Sequence, residues 1–358
     1  MIYVHVPFCK QFCTYCDFYS ELVQDGCFRA YADGLCAEIR RRSGEMDDDP
    51  KTLYFGGGTP SVLPLSVLSR ILIALDEAGH GGPWREFTME VNPEDIVERG
   101  PTYVESLKAL GVNRVSIGIQ SFDDPMLRWM NRRHDAARAA EAFRIVREAG
   151  FDNISIDLIF GIRHLSDAVW ADTVDTAVAL GAEHISCYQL TVEGESALAD
   201  MLSDGRYEEA DDTLCRRQYD ILCEKMAAAG YRHYEISNFA RAGFEAVHNG
   251  GYWARRPYVG LGPGAHSFQG STRSWNSKEL HGWTATTETL SAEDALVETV
   301  MLSLRTDQGI DADFLHENCS GQVIGRLVEN GALLREGGRY RIPEERFFVS
   351  DEIIRELI

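Results

Sequence analysis

The residues of this chain most suited to chemistry are three cysteines near its start. Cys9, Cys13 and Cys16 have three and then two residues between them. Thiolates at that spacing on one loop can hold three irons of a cubane [4Fe–4S] cluster. The next cysteine is only Cys27, so the fourth iron would stay open for an outside ligand. Radical chemistry with S-adenosylmethionine (SAM) requires such an open iron, because it chelates the amino and carboxylate groups of SAM before an electron cleaves the sulfonium bond.

Two other interpretations of these cysteines stay open at this point. They could bind structural zinc with His5 as the fourth ligand, although zinc ligands usually come as two close pairs. They could also be ordinary thiols. Free cysteine is normally buried, however, and these three lie among the polar residues Lys10, Gln11 and Asp17. The spacing favours the iron–sulfur cluster.

The elements that must position this loop alternate between strand and helix with a period of about 30 residues. The predicted strands are 2–6, 52–55, 87–91, 114–119, 153–160 and 184–190, and the predicted helices are 29–42, 65–78, 102–110, 136–149 and 169–180. Alternation of this kind is typical of an α/β fold with parallel strands. Six such units predict a partial (β/α)6 TIM-like barrel that is open on one side.

Three parts are predicted along the chain. Residues 1–238 form the barrel and end with a long helix at 207–229 and a strand at 231–236. Residues 239–290 are dense in glycine and aromatic residues, so we expect a loop-rich, functional segment. Residues 291–358 form a small C-terminal unit. Its helices at 292–304, 312–317 and 322–330, followed by a hairpin through 333–342, predict a winged-helix-like layout.

Composition excludes some classes of protein. The formal net charge is −21, which opposes nucleic-acid binding through phosphates and favours a lid or packing role for the C-terminal unit. The first apolar stretch is interrupted by His5, so no signal peptide is expected. No apolar run is long enough to predict a membrane span. Nine cysteines without a secretory context indicate a reducing compartment, and we expect a cytoplasmic location.

Glycine, polar and charged residues lie at or near the carboxyl ends of the predicted strands, where parallel barrels place their sites. They are the run Gly56, Gly57, Gly58 and Thr59, and the separate residues Glu90, Gln120, Arg132 and Asp157. Each alone could be a turn, a cap or a structural ion pair. Together they supply a glycine cradle, two carboxylates, an amide and a guanidinium around one mouth of the predicted barrel. This set of groups suits the ribose, amino and carboxylate groups of SAM.

An ordered set of motifs along almost the whole chain resembles the oxygen-independent coproporphyrinogen III oxidase family of radical SAM proteins. These motifs are YVHVPFCKQFCTYCDF, YFGGGTP, EVNPE, NRVSIGIQSFDDPMLRWMNRRH, SIDLIFG, YEISNFA and HNGGYW. The resemblance implies a partial barrel of the radical SAM type with a C-terminal cap. It also implies that the SAM-site positions are Tyr3, Tyr15, Gly57, Gly58, Thr59, Glu90, Gln120, Arg132 and Asp157, with Arg132 meeting the methionyl carboxylate.

Two departures separate the chain from the decarboxylating oxidase of that family. The oxidase has a further cysteine where this chain has Phe18, and an extension before its cluster motif, whereas Cys9 lies almost at the start here. Both departures match a heme-chaperone branch of the family. The resemblance therefore implies heme binding, delivery to an acceptor hemoprotein such as a respiratory one, and an electron donor. The alternative is oxidative decarboxylation of coproporphyrinogen III, so enzymatic activity stays open.

The same branch carries H-N-x-x-Y-W, present here from His248 to Trp253. His248 is a candidate axial ligand for heme, and Tyr252 and Trp253 offer flat faces for a macrocycle. His266, in GPGAHSF, is a second candidate ligand. The alternative is a turn whose histidine and aromatic residues pack locally.

Overall fold

The computed structural model describes residues 1–194 and 196–358. In chain order its strands are β1 Ile2–Val6, β2 Phe8–Cys9, β3 Glu21–Leu22, β4 Thr52–Gly57, β5 Glu86–Val91, β6 Arg114–Gln120, β7 Ile154–Phe160, β8 His184–Gln189, β9 Arg232–Glu235, β10 Asn238–Ala240, β11 Val259–Leu261, β12 His266–Gln269, β13 Thr272–Asn276, β14 Ala285–Thr289, β15 Ile310–Asp311, β16 Leu334–Glu336 and β17 Arg339–Arg341. Its α-helices are α1 Cys27–Arg42, α2 Leu65–Glu77, α3 Pro93–Ala109, α4 Asp124–Trp129, α5 Ala136–Glu148, α6 Asp167–Leu180, α7 Ala197–Ser203, α8 Asp212–Ala228, α9 Val247–Trp253, α10 Ala292–Leu304, α11 Ala312–Asn318, α12 Gly321–Glu329 and α13 Ser350–Leu357. Within these ranges no helix is long and apolar enough to cross a lipid bilayer.

A nine-stranded sheet forms the centre of the molecule, in the order β11-β1-β4-β5-β6-β7-β8-β10-β9. The pairs from β11 to β8 are parallel, and the last two pairs are antiparallel. All six predicted barrel strands are present and adjacent in this order. The prediction of a partial parallel barrel is therefore confirmed.

Apolar and polar side chains alternate along the strands, so the apolar ones lie in the hydrophobic core and the polar ones line the interior of the barrel. In β7, Ile154, Ile156 and Leu158 are buried in the hydrophobic core, whereas Ser155 and Asp157 between them line the barrel interior. Successive side chains of a strand point to opposite faces, so one face packs against the helices while the other surrounds a cavity. The barrel interior is therefore lined by polar side chains, and apolar side chains pack between the strands and the helices.

Several helix boundaries differ from the prediction. The long helix begins at Asp212 rather than at residue 207, because the Asp211 side chain caps its first turn by accepting a hydrogen bond from the Leu214 N–H. Helix α3 begins at Pro93, nine residues before the predicted start, and kinks at Gly100, where φ is 73°. The short helices α4, α7 and α13 were not predicted.

The segment 239–290 contains regular structure that the sequence did not predict. This segment contains helix α9, strand β11 at one edge of the central sheet, and a separate antiparallel sheet of β12, β13 and β14. Strand β10 also begins at Asn238, just before the predicted boundary. The division of the chain into three domains remains a prediction.

The C-terminal unit follows the predicted layout. Helices α10, α11 and α12 lie at the expected positions, and β15, β17 and β16 form a small antiparallel sheet. The hairpin between β16 and β17 pairs Leu334 with Arg341 and Glu336 with Arg339. The arrangement is winged-helix-like, as expected.

A buried carboxylate ties the barrel to the segment that follows α9. Glu38 of α1 accepts hydrogen bonds from the Gly262 N–H, the Asn276 side-chain amide and the Trp283 indole N–H, each at 2.8 Å. These donors satisfy a charge that would otherwise be costly to bury. Residues 262–283 are therefore held against the first helix.

Candidate functional site

A cavity of about 780 Å³ runs through the interior of the barrel. At one end it is lined by Cys9, Cys13 and Cys16, which follow β1. At the other end it is lined by Arg114, the first residue of β6, and by Asn249 of α9. We call the first end the mouth and the second the floor. The volume lies in the range of small-molecule and cofactor sites.

The cysteine loop is closed at its base by the pairing of β2 with β3, which places Cys9 opposite Leu22. The Cys9 Sγ lies 3.4 Å from the Thr59 hydroxyl, and Arg132 Nη1 donates a hydrogen bond to the Cys13 Sγ at 3.3 Å. Burial raises the pKa of Cys16 to about 12. All three thiols are free and reach one cavity, so the donor set fits a cubane cluster held by three cysteines.

His5 does not complete a zinc site with these cysteines. Its Nδ1 forms a hydrogen bond with the Tyr3 hydroxyl at 3.0 Å, and its Nε2 with the Tyr19 carbonyl at 2.9 Å. Both ring nitrogens are therefore engaged away from the thiols. The zinc interpretation loses the fourth ligand that it needs.

The structure brings together eight of the nine residues implied for SAM. Those lining the cavity are Tyr15, Gly57, Gly58, Thr59, Glu90, Gln120, Arg132 and Asp157. Tyr3 is the exception, because its hydroxyl bonds to His5 and its side chain does not line the cavity. Residues separated by more than 140 positions thus meet at one site.

Arg132 has an unused donor beside the cysteine loop. Its Nη2 donates to the Asn92 side chain and to the Gly118 carbonyl, both at 2.7 Å. Its Nε is buried and has no hydrogen-bond partner among the described residues. A guanidinium with a free N–H beside the proposed cluster suits the carboxylate of SAM.

The glycines after β4 allow the backbone to approach the cysteine loop. Gly57 has φ 111°, and a Cβ there would lie 2.5 Å from the His5 ring. A Cβ on Gly58 would lie 2.9 Å from the Phe8 carbonyl and 3.1 Å from the Cys9 Sγ. Any larger residue would displace the loop, so this cradle requires glycine at both positions.

Two half-buried carboxylates lie further inside the cavity. Glu90 accepts hydrogen bonds from the Tyr54 hydroxyl at 2.7 Å and from the Gly57 N–H at 3.2 Å. Asp157 accepts one from the Ser116 hydroxyl at 3.2 Å. Burial raises the pKa of Glu90 to about 7, with a further contribution from Asp157, and it raises the pKa of Asp157 to about 6.

These shifts predict that the stability of the cluster-free protein falls as the pH rises. Both pKa values lie above the ordinary values of 4.5 and 3.8, so the folded state binds more protons than the unfolded state between about pH 4 and 7. The free energy of unfolding should therefore decrease through that window. Glu90→Gln should be more stable than the wild type at pH 8 by on the order of 2 to 3 kcal/mol.

Urea unfolding at pH 5 and pH 8 measures this difference. Asp157 and the buried Glu235, whose pKa burial raises to about 7, also contribute to this pH dependence, so Glu90→Gln should reduce the slope without removing it. If the free energy of unfolding depends on pH in the same way in both proteins, the ionisation of Glu90 does not destabilise the folded state.

The assignment of His248 as an axial heme ligand is not supported by its position. The side chain is fully buried. Its Nδ1 bonds to the Thr52 hydroxyl and its Nε2 to the Tyr252 hydroxyl, each at 2.8 Å. The N–H of His248 also donates to Glu86, which holds the start of α9 at the amino ends of the strands. Ligation of heme would require α9 to leave this position, so the structure shows the local-packing alternative.

The other residues considered for heme also lie outside the cavity lining. Tyr252 uses its hydroxyl on His248, and Trp253 is half-buried at the end of α9. His266 is exposed at the start of β12 and stacks on Trp275, with ring centroids 6.1 Å apart. None of the three faces the cysteines through this cavity.

Sequence reasoning missed the polar residues of the lower cavity. They are Thr88, Arg114, Ser116, Ser155, His184, Ser186 and Asn249. Most occupy alternate positions on β5 to β8, between buried apolar residues. Polar residues at every second position of strands that should be buried on both faces were the signal that could have identified them.

Comparisons with known proteins agree with this geometry. Residues 3–177 match the model of the radical SAM superfamily. The chain is 33% identical to the heme chaperone HemW of Bacillus subtilis, over 98% of this chain and 95% of that protein. It is also 33% identical to HemW of Mycobacterium tuberculosis, over 100% of this chain and 94% of that protein.

A solved structure shows the same fold. Coproporphyrinogen III oxidase (HemN) from Escherichia coli superposes with a TM-score of 0.79 at 22% identity, covering 99% of this chain and 89% of that one. At that identity the likeness establishes the fold alone. The full-length identity to HemW proteins goes further, and the chain belongs to the HemW heme chaperone family within the radical SAM superfamily.

Proposed function

We propose that this protein is a heme chaperone that carries a [4Fe–4S] cluster and SAM, binds heme, and delivers it to an acceptor hemoprotein. One observation carries the proposal. The three cysteines and eight of the implied SAM-site residues line a single cavity in a chain of the HemW family. The set offers three thiols for a cluster and leaves the fourth iron to an outside ligand.

Different residues of the cavity would bind the cluster, the carboxylate of SAM and its ribose. Cys9, Cys13 and Cys16 would hold the cluster, which supplies one-electron chemistry at SAM when both are bound. Arg132 would bind the SAM carboxylate through its unpartnered Nε. Asp157 would accept hydrogen bonds from the ribose.

The mouth of the cavity also presents apolar surface that suits heme. Phe12, Phe18 and Tyr188 line the cavity, and 46%, 66% and 43% of their surfaces are exposed. Exposed apolar side chains grouped at a site indicate a binding surface, and aromatic rings match the flat face of a porphyrin. We therefore place heme at the mouth rather than against α9.

Partners and location follow from the same function. Heme delivery requires an acceptor hemoprotein, such as a respiratory one, and a reducible cluster requires an electron donor. Nine free cysteines fit a reducing compartment, and we assign the protein to the cytoplasm. The net charge of −21 argues against a nucleic-acid partner.

Heme titration of the anaerobically reconstituted protein tests this proposal. We expect about one heme per chain. Phe18→Ser should weaken heme binding by roughly tenfold, because burial of a phenylalanine side chain against the ligand would be lost. Ile73→Ser is the matched control, since Ile73 is an exposed apolar residue on α2 outside the cavity lining.

The two variants and the wild type distinguish the outcomes. Absence of heme binding by the wild type would refute the chaperone function. Equal affinities of Phe18→Ser and Ile73→Ser would move the heme site away from the mouth.

A further inference from the structure

The floor of the cavity holds a buried cation that forms no ion pair within 4.0 Å among the described residues, although its charge opposes the rise in the pKa of the more distant Asp157. Arg114 is 3% exposed and lines the cavity. Its Nη1 donates to the Asn153 side chain at 2.8 Å and to the Phe244 carbonyl at 3.2 Å, and both acceptors are neutral. Across residues 1–194 and 196–358, no carboxylate forms an ion pair with Arg114 within 4.0 Å, and its Nη2 and Nε have no acceptor. A buried charge is costly unless it is paired.

Thr88 is a second unsatisfied group beside this cation. It is directly opposite Arg114 in the parallel pairing of β5 with β6 and also lines the cavity. Thr88 is 1% exposed, and its hydroxyl has no hydrogen-bond partner among the described residues. A buried hydroxyl without a partner costs stability that a bound ligand would recover.

The HNGGYW segment supplies a third hydrogen-bond donor at the floor of the cavity, the side-chain amide of Asn249. Asn249 lines the floor, is half-buried, and its side-chain amide forms no hydrogen bond within the described part of the chain. The preceding His248 is turned away and engaged with Thr52 and Tyr252. The motif therefore presents its asparagine, rather than its histidine, to the interior of the barrel.

We propose that Arg114, Thr88 and Asn249 form a binding site for a carboxylate group on the cavity floor. The planar guanidinium matches the two oxygens of a carboxylate, and the hydroxyl and amide can donate to the same group. His184 nearby does not compete for it, because both its ring nitrogens are bonded, to Ser155 and Tyr234.

This site is separate from the one assigned to the SAM carboxylate. Arg132 contacts the carbonyl of Gly118. Gly118 lies four residues beyond Arg114 on β6, so the Cα atoms of Gly118 and Arg114 are about 13 Å apart. The carboxylates of Glu90 and Asp157 lie at neighbouring positions up the cavity and already accept hydrogen bonds from Tyr54 and Ser116. A carboxylate at the floor therefore belongs to a further ligand.

Two sources can supply this carboxylate. A propionate of a heme whose macrocycle enters the barrel from the mouth could supply it, in which case the inference rests on the proposed function. A free small carboxylate could bind independently of heme. In both cases Arg114, Thr88 and Asn249 would bind the carboxylate.

Thr88→Val is the most direct test, because valine has the shape of threonine and removes only the unpartnered hydroxyl. Thr173→Val is the matched control, since Thr173 is a buried threonine of α6 outside the cavity lining. Reconstituted proteins are titrated with heme and with heme dimethyl ester, and their melting temperatures are measured with and without sodium propionate.

If heme supplies the carboxylate, Thr88→Val should lose about tenfold in heme affinity, and the ester should bind the wild type equally weakly. If a free carboxylate binds, propionate should raise the melting temperature of the wild type and of Thr173→Val, but not of Thr88→Val. The inference is overturned if neither heme affinity nor the propionate response separates Thr88→Val from the wild type. A wild type that responds to propionate without binding heme would refute the proposed function and retain this site.

Discussion

Serine in place of Cys9, Cys13 or Cys16 is expected to abolish the iron–sulfur cluster. The anaerobically reconstituted wild type should contain about four irons per chain and show a broad visible absorption band that SAM perturbs. Each motif cysteine would supply one of only three protein ligands, so no remaining thiol can replace it at the mouth of the cavity. Iron and sulfide analysis, together with the visible spectrum, measures the loss.

Two other cysteines provide controls for that experiment. Cys27→Ser and Cys187→Ser should retain the cluster, because neither residue lines the cavity. Stoichiometric zinc in wild-type protein purified without oxygen would contradict the cluster. So would a cluster that survives in Cys13→Ser.

Arg132→Ala should have the largest effect on SAM binding. Removing one partner of a buried charge pair costs about 2 to 5 kcal/mol, so the SAM dissociation constant should rise at least thirtyfold. Asp157→Ala should also weaken binding, because the ribose loses its acceptor. Equilibrium binding of SAM to the reconstituted variants checks both expectations.

Arg133→Ala is the matched control for Arg132→Ala. Arg133 is the neighbouring residue and does not line the cavity; it pairs with Glu98 at 3.1 Å and, at longer range, with Glu94 at 3.7 Å and Asp95 at 3.9 Å. Since Arg132 also donates to Cys13, iron content must be measured in each variant. Unchanged SAM affinity in Arg132→Ala, with the cluster intact, would remove this residue from the SAM site.

The barrel and much of its site could be predicted because their signals are local and repeated. Each βα unit carries its own alternation of strand and helix, and parallel strands bring their carboxyl ends to one edge. That rule alone predicted that Thr59, Glu90 and Asp157 would meet. The cysteine spacing likewise lies within a single loop.

The segment from 239 to 290 could not be predicted in the same way. Strand β11 has only three residues, and it becomes a strand by pairing with β1, more than 250 residues earlier in the chain. The HNGGYW motif is compatible with both heme ligation and local packing. Only the contacts of His248 with Thr52 and Tyr252, which depend on tertiary structure, distinguish the two.

The floor site was missed for a related reason. In RVSIGIQ, the polar residues Arg114 and Ser116 look like ordinary members of a strand. Their importance depends on two facts that are absent from the sequence. The barrel surrounds an open cavity, and no described carboxylate approaches Arg114 closely enough for an ion pair.

The most direct test of the central claim is one anaerobic reaction that offers the reconstituted protein both possible tasks. The protein, with its cluster and SAM, is supplied with an electron donor and either heme or coproporphyrinogen III, and an apo-hemoprotein is added to the heme reaction. We predict that heme is bound and passed to the apo-hemoprotein while coproporphyrinogen III is recovered unchanged. Conversion of coproporphyrinogen III to protoporphyrinogen IX, without transfer of heme, would contradict the account.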